Sequence, residues 1–400
     1  MTSRERVVQS IKHEEPDKIP IDFASTRSSG INAVAYADLL DYLGHEGENR
    51  IFDMKQLLSE PDEFTLTRMG TDVIQLHRLC PSLGFSVESY KEGSLPDGRK
   101  CLIPKDFACE RLQNGNHVVR DMNGNILFMR PKGGLYFDDA YHPLANAKSE
   151  NDIDALLSRP SLSAEEAAYL SRTARNYFEN TDYAIIGSAS ISIFERGFKD
   201  FGYENYLVNM YTKRDLVEYY LFKLVEAYKK VLDDYLVACG DFIQIIQVND
   251  DLGTQNGPLI DPNVYREVLK PFHTELFSHI KARSSVAIFL HCCGSVYDFI
   301  PDFIESGVDI LNPIQTNARN MNPYRLKAEY GKDLTFWGGG CNVQSTLPFS
   351  SVADVQREAQ EMITLLKKGG GFIFAPTHNI QAGTRPENII AMYDTAIKFR

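Results

Sequence analysis

Apolar residues are concentrated in eight short runs, most of which are followed by a stretch with helical spacing. The runs are "KIPIDF" (18–23), "TDVIQL" (71–76), "YAIIGSA" (183–189), "FIQIIQV" (242–248), "VAIFL" (286–290), "VDILNP" (308–313), "LTFWGG" (334–339) and "GFIFAP" (371–376). Near-continuous apolar strands are typical of a parallel sheet that is covered on both faces. We therefore predict that each run is a buried β-strand.

Two of the intervening stretches show the helical pattern clearly. Apolar residues recur at steps of three and four in 216–238 and again in 353–369, which ends at a run of glycines. Eight strands that alternate with helices predict an α/β fold, a single (β/α)8 TIM barrel over residues 1–400. A doubly wound open sheet is the alternative, but no G-x-G-x-x-G fingerprint follows the first strand.

Residues 80–145 interrupt this alternation. Turn-type sequences such as "LPDGRK", "QNGNH" and "PKGG" divide the segment into short pieces. The stretch "NHVVRDMNGNILFMR" has the pattern of a β-hairpin that turns at Asn123-Gly124. We expect a β-rich insertion after the second strand, within the barrel domain, where it could cap one mouth of the barrel.

Composition and charge limit the classes of function. Of the 400 residues, 43% are hydrophobic and 24% are charged, which is typical of a soluble globular protein. The formal net charge of -12 argues against a nucleic-acid partner. The charged first residues and the lack of any run of about 18 apolar residues predict neither a signal peptide nor a membrane span. Seven cysteines, an odd number, indicate a reducing compartment, and we expect a cytoplasmic protein.

Polar residues that are able to bind ligands follow nearly every predicted strand. In barrel enzymes the active site lies at the C-terminal ends of the strands. The candidates for substrate binding are Arg27, His77, Asn249, Asp250, Asn312, Gln315, Gln344 and Asn379.

Arg27 and Asp250 are also candidates for catalysis. Asp250 would act as an acid/base or substrate-orienting carboxylate, and Arg27 would bind an anionic group with two hydrogen bonds. Asp250 and its neighbour Asp251 have an alternative interpretation as helix N-cap or loop charges. Arg27 has an alternative as a salt-bridged loop residue.

The stretch "FLHCCGSVYDF" indicates a metal site. His291 and Cys293 are two positions apart, so they point the same way if the backbone stays extended, while Cys292 faces the barrel wall. Zinc prefers thiolate and imidazole ligands, and a catalytic site usually has three of them from the protein. Cys341 follows the seventh strand after three glycines and is the expected third ligand. His378, after the eighth strand, would be a fourth ligand or would orient the substrate. Free cysteines are often simply buried, which is the alternative for these thiols.

Several stretches resemble one known family. They are "MTSRERVVQSIKHEEPDKIPIDF", "NDDLGTQNGPLIDPNVYREVLKPFHTELF", "HCCGSVYDFIPDFIESGVDILNPIQ" and "GGGFIFAPTHNIQAGTRPENIIAMYDTA". Together they resemble the uroporphyrinogen decarboxylase superfamily, whose members are (β/α)8 barrels. The resemblance covers most of the chain outside the insertion and is most specific in the C-terminal half.

The superfamily contains two main activities, and the two are associated with different residues. Its decarboxylases work on porphyrinogen acetates without a metal and have an arginine-rich loop after strand 1, of which only Arg27 is present here. Its zinc methyltransferases have an H-x-C pair after strand 5, which His291 and Cys293 match, and a later cysteine. In the coenzyme M enzymes that cysteine lies in an "SPGC"-like motif after strand 8. Here the motif reads "APTH" with His378, while Cys341 offers a thiolate after strand 7.

The resemblance implies a zinc-dependent methyltransferase whose methyl donor is a corrinoid (methylcobalamin) carried by a partner protein. The methyl acceptor would be tetrahydrofolate, coenzyme M or another thiol, and in similar bacterial members it is often tetrahydrofolate. The alternative activity is decarboxylation of a tetrapyrrole or another carboxylated substrate, and a third reading is a zinc-binding scaffold without catalysis. A homodimer is compatible with the sequence, which does not fix the oligomeric state.

Overall fold

A computed structural model describes residues 1–158 and 162–400 of the chain. Its strands are β1 (Ile31–Asn32), β2 (Arg50–Asp53), β3 (Leu58–Glu60), β4 (Val73–Leu76), β5 (Tyr90–Ser94), β6 (Lys100–Pro104), β7 (Glu110–Arg111), β8 (His117–Arg120), β9 (Ile126–Arg130), β10 (Asp138–Asp139), β11 (Ala184–Ile191), β12 (Ile245–Asn249), β13 (Ala287–His291), β14 (Ile310–Asn312), β15 (Thr335–Trp337) and β16 (Phe372–Ile373). Its α-helices are α1 (Ser3–Ile11), α2 (Ala33–Leu43), α3 (Glu63–Met69), α4 (Glu150–Leu157), α5 (Ala164–Asn180), α6 (Phe194–Phe201), α7 (Tyr203–Thr212), α8 (Arg214–Cys239), α9 (Pro262–Val264), α10 (Lys270–Lys281), α11 (Ile300–Ser306), α12 (Pro323–Tyr330), α13 (Thr346–Phe349), α14 (Val352–Leu366) and α15 (Pro386–Phe399). A π-helix at Tyr265–Leu269 leads into α10, and a 3₁₀ turn at Tyr297–Phe299 leads into α11.

The barrel is a curled parallel sheet of seven strands in the order β16-β15-β14-β13-β12-β11-β4. Residues 19–23, which we call the closing segment, join its two edges. Ile21 forms a parallel bridge with Phe374 beside β16, and Asp72 N–H, just before β4, donates to Ile21 O at 2.7 Å. The predicted (β/α)8 barrel is therefore confirmed, and the eight apolar runs occur in the predicted order.

Alternation along the strands divides their side chains between two cores. Inward-facing residues, among them Val73, Phe289, Ile310 and Trp337, form a small core inside the barrel. Outward-facing residues pack against the surrounding helices in a much larger core. Because both faces of the sheet are buried, the strands appear in the sequence as continuous apolar runs.

The two helices that were predicted from their spacing are present. α8 covers the whole of 216–238, and α14 covers most of 353–369. α14 begins after Ser351, whose side chain accepts the Asp354 N–H as an N-cap. Within the part of the chain that the structure describes, no helix has the length and apolar character needed to cross a bilayer.

Additional β-structure is built from the insertion and from the segment between the closing segment and β4. β8 and β9 pair antiparallel across Asn123-Gly124, as predicted for the hairpin. β5 and β6 of the insertion join β1, β2 and β3 in a five-stranded sheet. Sequence analysis missed these three strands because they are short and, unlike the barrel strands, are not continuously apolar. A separate apolar core, which includes Phe107, Phe128 and Phe137, lies within this region. The Tyr136 hydroxyl donates to Gln381 after β16, so the insertion reaches the C-terminal mouth of the barrel.

The packing inside the barrel can be tested with Phe289, which is fully buried and meets Trp337 edge to face at 5.1 Å between ring centres. We expect Phe289→Ala to lower the free energy of unfolding by about 3–5 kcal/mol, because it removes apolar contacts and leaves a cavity. Met122→Ala, at a fully exposed position of the hairpin turn, is the control and should change it by less than about 0.5 kcal/mol. Urea unfolding followed by circular dichroism measures both values. Equal stabilities of the two variants would contradict a packed interior.

Candidate metal centre

β13 delivers His291 and Cys293 to the C-terminal mouth of the barrel. The strand ends at His291, but Cys292 N–H still donates to Asn312 O of β14 at 2.7 Å, so extended pairing continues for one more residue. Cys292 is consequently buried in the outer core, and the side chains on either side of it point the opposite way. Cys293 Sγ lies 3.2 Å from His291 Nε2, which is the proximity expected from their spacing.

His378 completes a group of three potential metal ligands. One nitrogen of His291, one nitrogen of His378 and Cys293 Sγ all lie within 4.8 Å of one another. In a tetrahedral zinc site, ligand atoms bonded at about 2.0 Å (nitrogen) and 2.3 Å (sulfur) lie about 3.3–3.6 Å from one another. The pair Cys293 Sγ and His291 Nε2, at 3.2 Å, is already close to this separation, and side-chain shifts of at most about 1.5 Å would bring His378 to it. Two imidazoles and one thiol are a donor set that fits zinc.

A hydrogen bond to an asparagine orients each of these histidines. His291 Nδ1 lies 2.7 Å from Asn312 Oδ1, and His378 Nδ1 lies 2.8 Å from Asn379 Oδ1. Since an amide oxygen only accepts, each Nδ1 carries the proton and each Nε2 keeps a lone pair for a metal. Metal-binding histidines are typically oriented in this way. Asn312 and Asn379, which we expected to bind substrate, contact the histidines instead.

Cys341 does not join this group, so its expected place as the third ligand is corrected. A strand that kept its alternation beyond the inward-facing Trp337 would also direct Cys341 inward. Gly338 and Gly339, with φ values of 96° and 79°, break that alternation. Cys341 lies in the core between the sheet and the helices, where burial and the Glu358 carboxylate on α14 raise the pKa of its thiol.

Asp251 lies beside the three ligand atoms. Its Oδ1 accepts Cys293 N–H at 2.7 Å and is 3.8 Å from His291 Nε2. Burial, and then the charge of Asp251, raises the pKa of the Cys293 thiol well above its usual value. This thiol is therefore protonated at neutral pH.

Glu195 is a second acidic group near the centre, and sequence analysis missed it. Burial raises the pKa of Glu195 to about 8, and the negative charges of Asp251 and Asp250 add to that effect. The positive charges of Arg27 and Lys55 act in the opposite direction and lower the pKa of Glu195. The signal that could have found it is a single acidic residue in the apolar stretch "SIFERGF" after the third strand.

Asp250 has a structural role at the N-terminus of α6. Its Oδ1 accepts the N–H groups of Phe194 and Glu195, and its Oδ2 accepts the N–H of Ile193 and lies 2.8 Å from His273 Nε2. The residue is fully buried, and its carboxylate binds the N-terminus of α6. Of the two interpretations of Asp250, the structure shows the helix-terminus charge.

Arg27 and His77 lie at the same end of the barrel but make protein contacts. Arg27 Nε is 2.6 Å from Asp53 Oδ2, so the residue is salt-bridged, although 37% of its side chain stays exposed. The ring of His77 packs against Phe52 at 4.1 Å between centres. Of the two interpretations of Arg27, the structure shows the ion pair.

The remaining candidates for substrate binding support loops or neighbouring side chains. Asn249 accepts a hydrogen bond of 2.8 Å from the glutamine two residues before it. Gln315 Oε1 accepts Gly294 N–H at 2.8 Å and so holds the loop that follows Cys293. Gln344 accepts a hydrogen bond of 2.6 Å from the side chain of Asn317. These contacts stabilise the mouth of the barrel.

Comparison with known proteins identifies a family and a fold. The family model described as uroporphyrinogen decarboxylase (URO-D) matches residues 188–399, more than half of the chain. A solved methyltransferase from Methanosarcina mazei aligns over 100% of this chain and 99% of its own, with 18% sequence identity and a TM-score of 0.62. A protein from Listeria monocytogenes, proposed to be a vitamin-B12-independent methionine synthase, aligns over 96% and 99% with 13% identity and a TM-score of only 0.44. No curated protein matches the chain in sequence.

The structural role of Asp250 can be tested with Asp250→Asn. We expect the free energy of unfolding to fall by about 2–3 kcal/mol, because an amide NH₂ replaces an oxygen that accepts hydrogen bonds in the interior. Asp251→Asn is the matched control. It keeps an oxygen for Cys293 N–H and should change the value by about 1 kcal/mol or less. Urea unfolding measures both, and unchanged stability of Asp250→Asn would contradict this role.

The raised pKa of Glu195 predicts a particular pH dependence of stability. The pKa is about 8 in the folded protein against an ordinary value of 4.5, so the folded state holds the extra proton between these limits. The contribution of Glu195 to the free energy of unfolding is therefore complete at low pH and is lost as pH rises through about 8. We expect the stability of the wild type relative to Glu195→Gln to fall between about pH 5 and pH 9. Urea unfolding of both proteins with a chelator present measures this difference, and a difference that stays constant would contradict it.

Proposed function

The chain belongs to the uroporphyrinogen decarboxylase family, and from this premise and the metal centre we propose that it is a zinc-dependent methyltransferase. It would move a methyl group from a methylated corrinoid protein to a thiol or to tetrahydrofolate. The observation that carries the proposal is the convergence of His291, Cys293 and His378 at the mouth of the barrel. A metal-free decarboxylase would have no use for such a group.

The two residues that a decarboxylase would need are both engaged in other contacts. Arg27 is paired with Asp53, and the oxygens of Asp250 meet backbone N–H groups and His273. The fold likeness to a solved methyltransferase along the full length of both chains also supports methyl transfer. We therefore favour methyl transfer over the decarboxylation of a tetrapyrrole.

His291, Cys293 and His378 would hold the zinc ion, and Asn312 and Asn379 would keep both Nε2 atoms directed at it. When bound, zinc supplies positive charge that lowers the pKa of an acceptor thiol or, for a pterin, assists as a Lewis acid. Three protein ligands leave a position open for that acceptor.

In the transfer, the acceptor sulfur forms a bond to the methyl carbon, and the cobalt–carbon bond of the corrinoid breaks. The corrinoid would keep the electron pair of that bond on cobalt, as Co(I), and the thiol proton would be lost to water. Glu195, with a pKa of about 8, is protonated at neutral pH, so it adds no negative charge beside the attacking group. A corrinoid carried by a partner protein requires access from outside. We place its docking at the C-terminal mouth, where the insertion contacts Gln381 through Tyr136.

The proposal is tested by measuring zinc and methyl transfer in the same variants. We expect about one zinc per chain in the wild type, and at least about tenfold weaker zinc binding in Cys293→Ala and His378→Ala. Both variants should also lose the demethylation of methylcobalamin with coenzyme M, homocysteine or tetrahydrofolate as acceptor. Cys341→Ser is the matched control, since it removes a buried thiol outside the group, and should keep zinc and activity.

Other results would contradict the proposal in distinguishable ways. Full activity in a metal-free preparation would exclude a role for zinc. Release of carbon dioxide from a porphyrinogen without methyl transfer would identify a decarboxylase. Stoichiometric zinc without transfer to any acceptor would identify a binding scaffold.

A further inference from the structure

A cavity of about 210 Å³ lies where the closing segment and β4 separate. Asp72 N–H pairs with Ile21 O, but the next donor, Phe23 N–H, is bonded to the side chain of Thr71 rather than to the backbone of β4. Within residues 1–158 and 162–400, no further backbone hydrogen bond joins 19–25 to β4. The cavity occupies this gap in the barrel wall, and α3 and α5 contribute to its outer part.

Gln75 lines the cavity with an unsatisfied amide. The residue is only 9% exposed, and its Oε1 has no hydrogen-bond partner among the described residues. Buried polar atoms in native proteins nearly always have a partner, and an exception calls for a specific cause. A ligand that donates a hydrogen bond inside the cavity would supply that partner.

The charged residues of the cavity wall are acidic. Glu60 and Glu63 line it, and among its described lining residues there is no lysine or arginine. His77 Nε2 is 3.7 Å from Glu60, but burial lowers the pKa of His77, so the imidazole is neutral at neutral pH. Arg50, the cross-strand neighbour of Glu60, is paired through Nε with Glu48 at 2.9 Å and also interacts electrostatically with Glu60 from outside the cavity lining. A positive charge inside the cavity would therefore be stabilised by Glu60.

Aromatic rings form much of the remaining wall. Phe23, Phe52, Tyr177 and Tyr183 all line the cavity, and the first two are almost completely buried. Aromatic faces attract cations, most strongly where water is excluded. Rings beside a carboxylate are a combination suited to ammonium groups that carry alkyl substituents.

We propose that this cavity binds a small alkylammonium ion that also carries a hydrogen-bond donor. The cationic group lies beside Glu60 and against the aromatic rings, and the donor bonds to Gln75 Oε1. A cavity of about 210 Å³ is larger than the roughly 150 Å³ needed to hold a benzene molecule, so it has room for a small alkylammonium ion. His291, Cys293 and His378 do not line the cavity, so this inference is independent of the proposed methyl transfer.

The test uses choline, which has a trimethylammonium group and a hydroxyl donor, and its uncharged isostere 3,3-dimethylbutan-1-ol. Titration calorimetry on the full chain should show binding of choline and at least about tenfold weaker binding of the alcohol. Glu60→Gln should weaken choline binding at least about tenfold. Gln75→Leu should also weaken it, because the choline hydroxyl loses the oxygen that accepts its hydrogen bond. Glu110→Gln on β7, an exposed acidic residue of the insertion, is the matched control and should bind like the wild type.

The comparison of choline with the alcohol needs only the wild type, so it stays decisive if a variant fails to fold. Absence of choline binding at millimolar concentrations would overturn the proposal. Equal affinity for both ligands would show an apolar cavity without selectivity for charge and would also overturn it. If Glu60→Gln left choline binding unchanged, the ligand would bind elsewhere, and this result would also overturn the proposal.

Discussion

The hydrogen bond between His291 Nδ1 and Asn312 Oδ1 is the interaction on which the candidate centre depends. The register of β13 and β14 pairs these two residues directly, and the bond measures 2.7 Å. Asn312 also donates through Nδ2 to the backbone oxygen of Trp337 on β15, so the next strand fixes its orientation. Three neighbouring strands together determine that Nε2 of His291 faces Cys293 and His378. Closure of the parallel sheet then brings residues 291 and 378, far apart in sequence, to the same mouth.

A second network connects this mouth to the helices behind it. Asp250 N–H donates to His291 O at 2.9 Å, while the Asp250 carboxylate binds the N-terminus of α6 and His273 on α10. The strand that carries the candidate ligands is thereby joined to the helix that carries Glu195. Asp250 therefore positions the strand and the helix that carry these residues. The same interactions explain why an acidic residue that follows a strand in sequence is fully buried.

The parts that sequence analysis predicted are those governed by local periodicity. The barrel strands could be recognised because burial on both faces makes them continuously apolar. The pair His291 and Cys293 could be recognised because side chains continue to alternate in direction beyond the end of β13. Cys341 was misplaced because the positive φ values of Gly338 and Gly339 reverse the expected direction, and a glycine in a sequence does not reveal its φ. The role of Asp250 and the pKa of Glu195 arise from tertiary packing around α6, which a single strand or helix pattern does not encode.

The most direct test of the central claim is X-ray absorption spectroscopy at the zinc edge of the zinc-loaded protein. The account predicts one sulfur at about 2.3 Å, from Cys293, and nitrogen or oxygen neighbours at about 2.0–2.1 Å, with imidazole scattering from two histidines. A second sulfur at about 2.3 Å in the absence of added thiol would contradict it, because it would require a buried thiol such as that of Cys341 to leave its position and join the centre. A spectrum without any sulfur neighbour would contradict it as well.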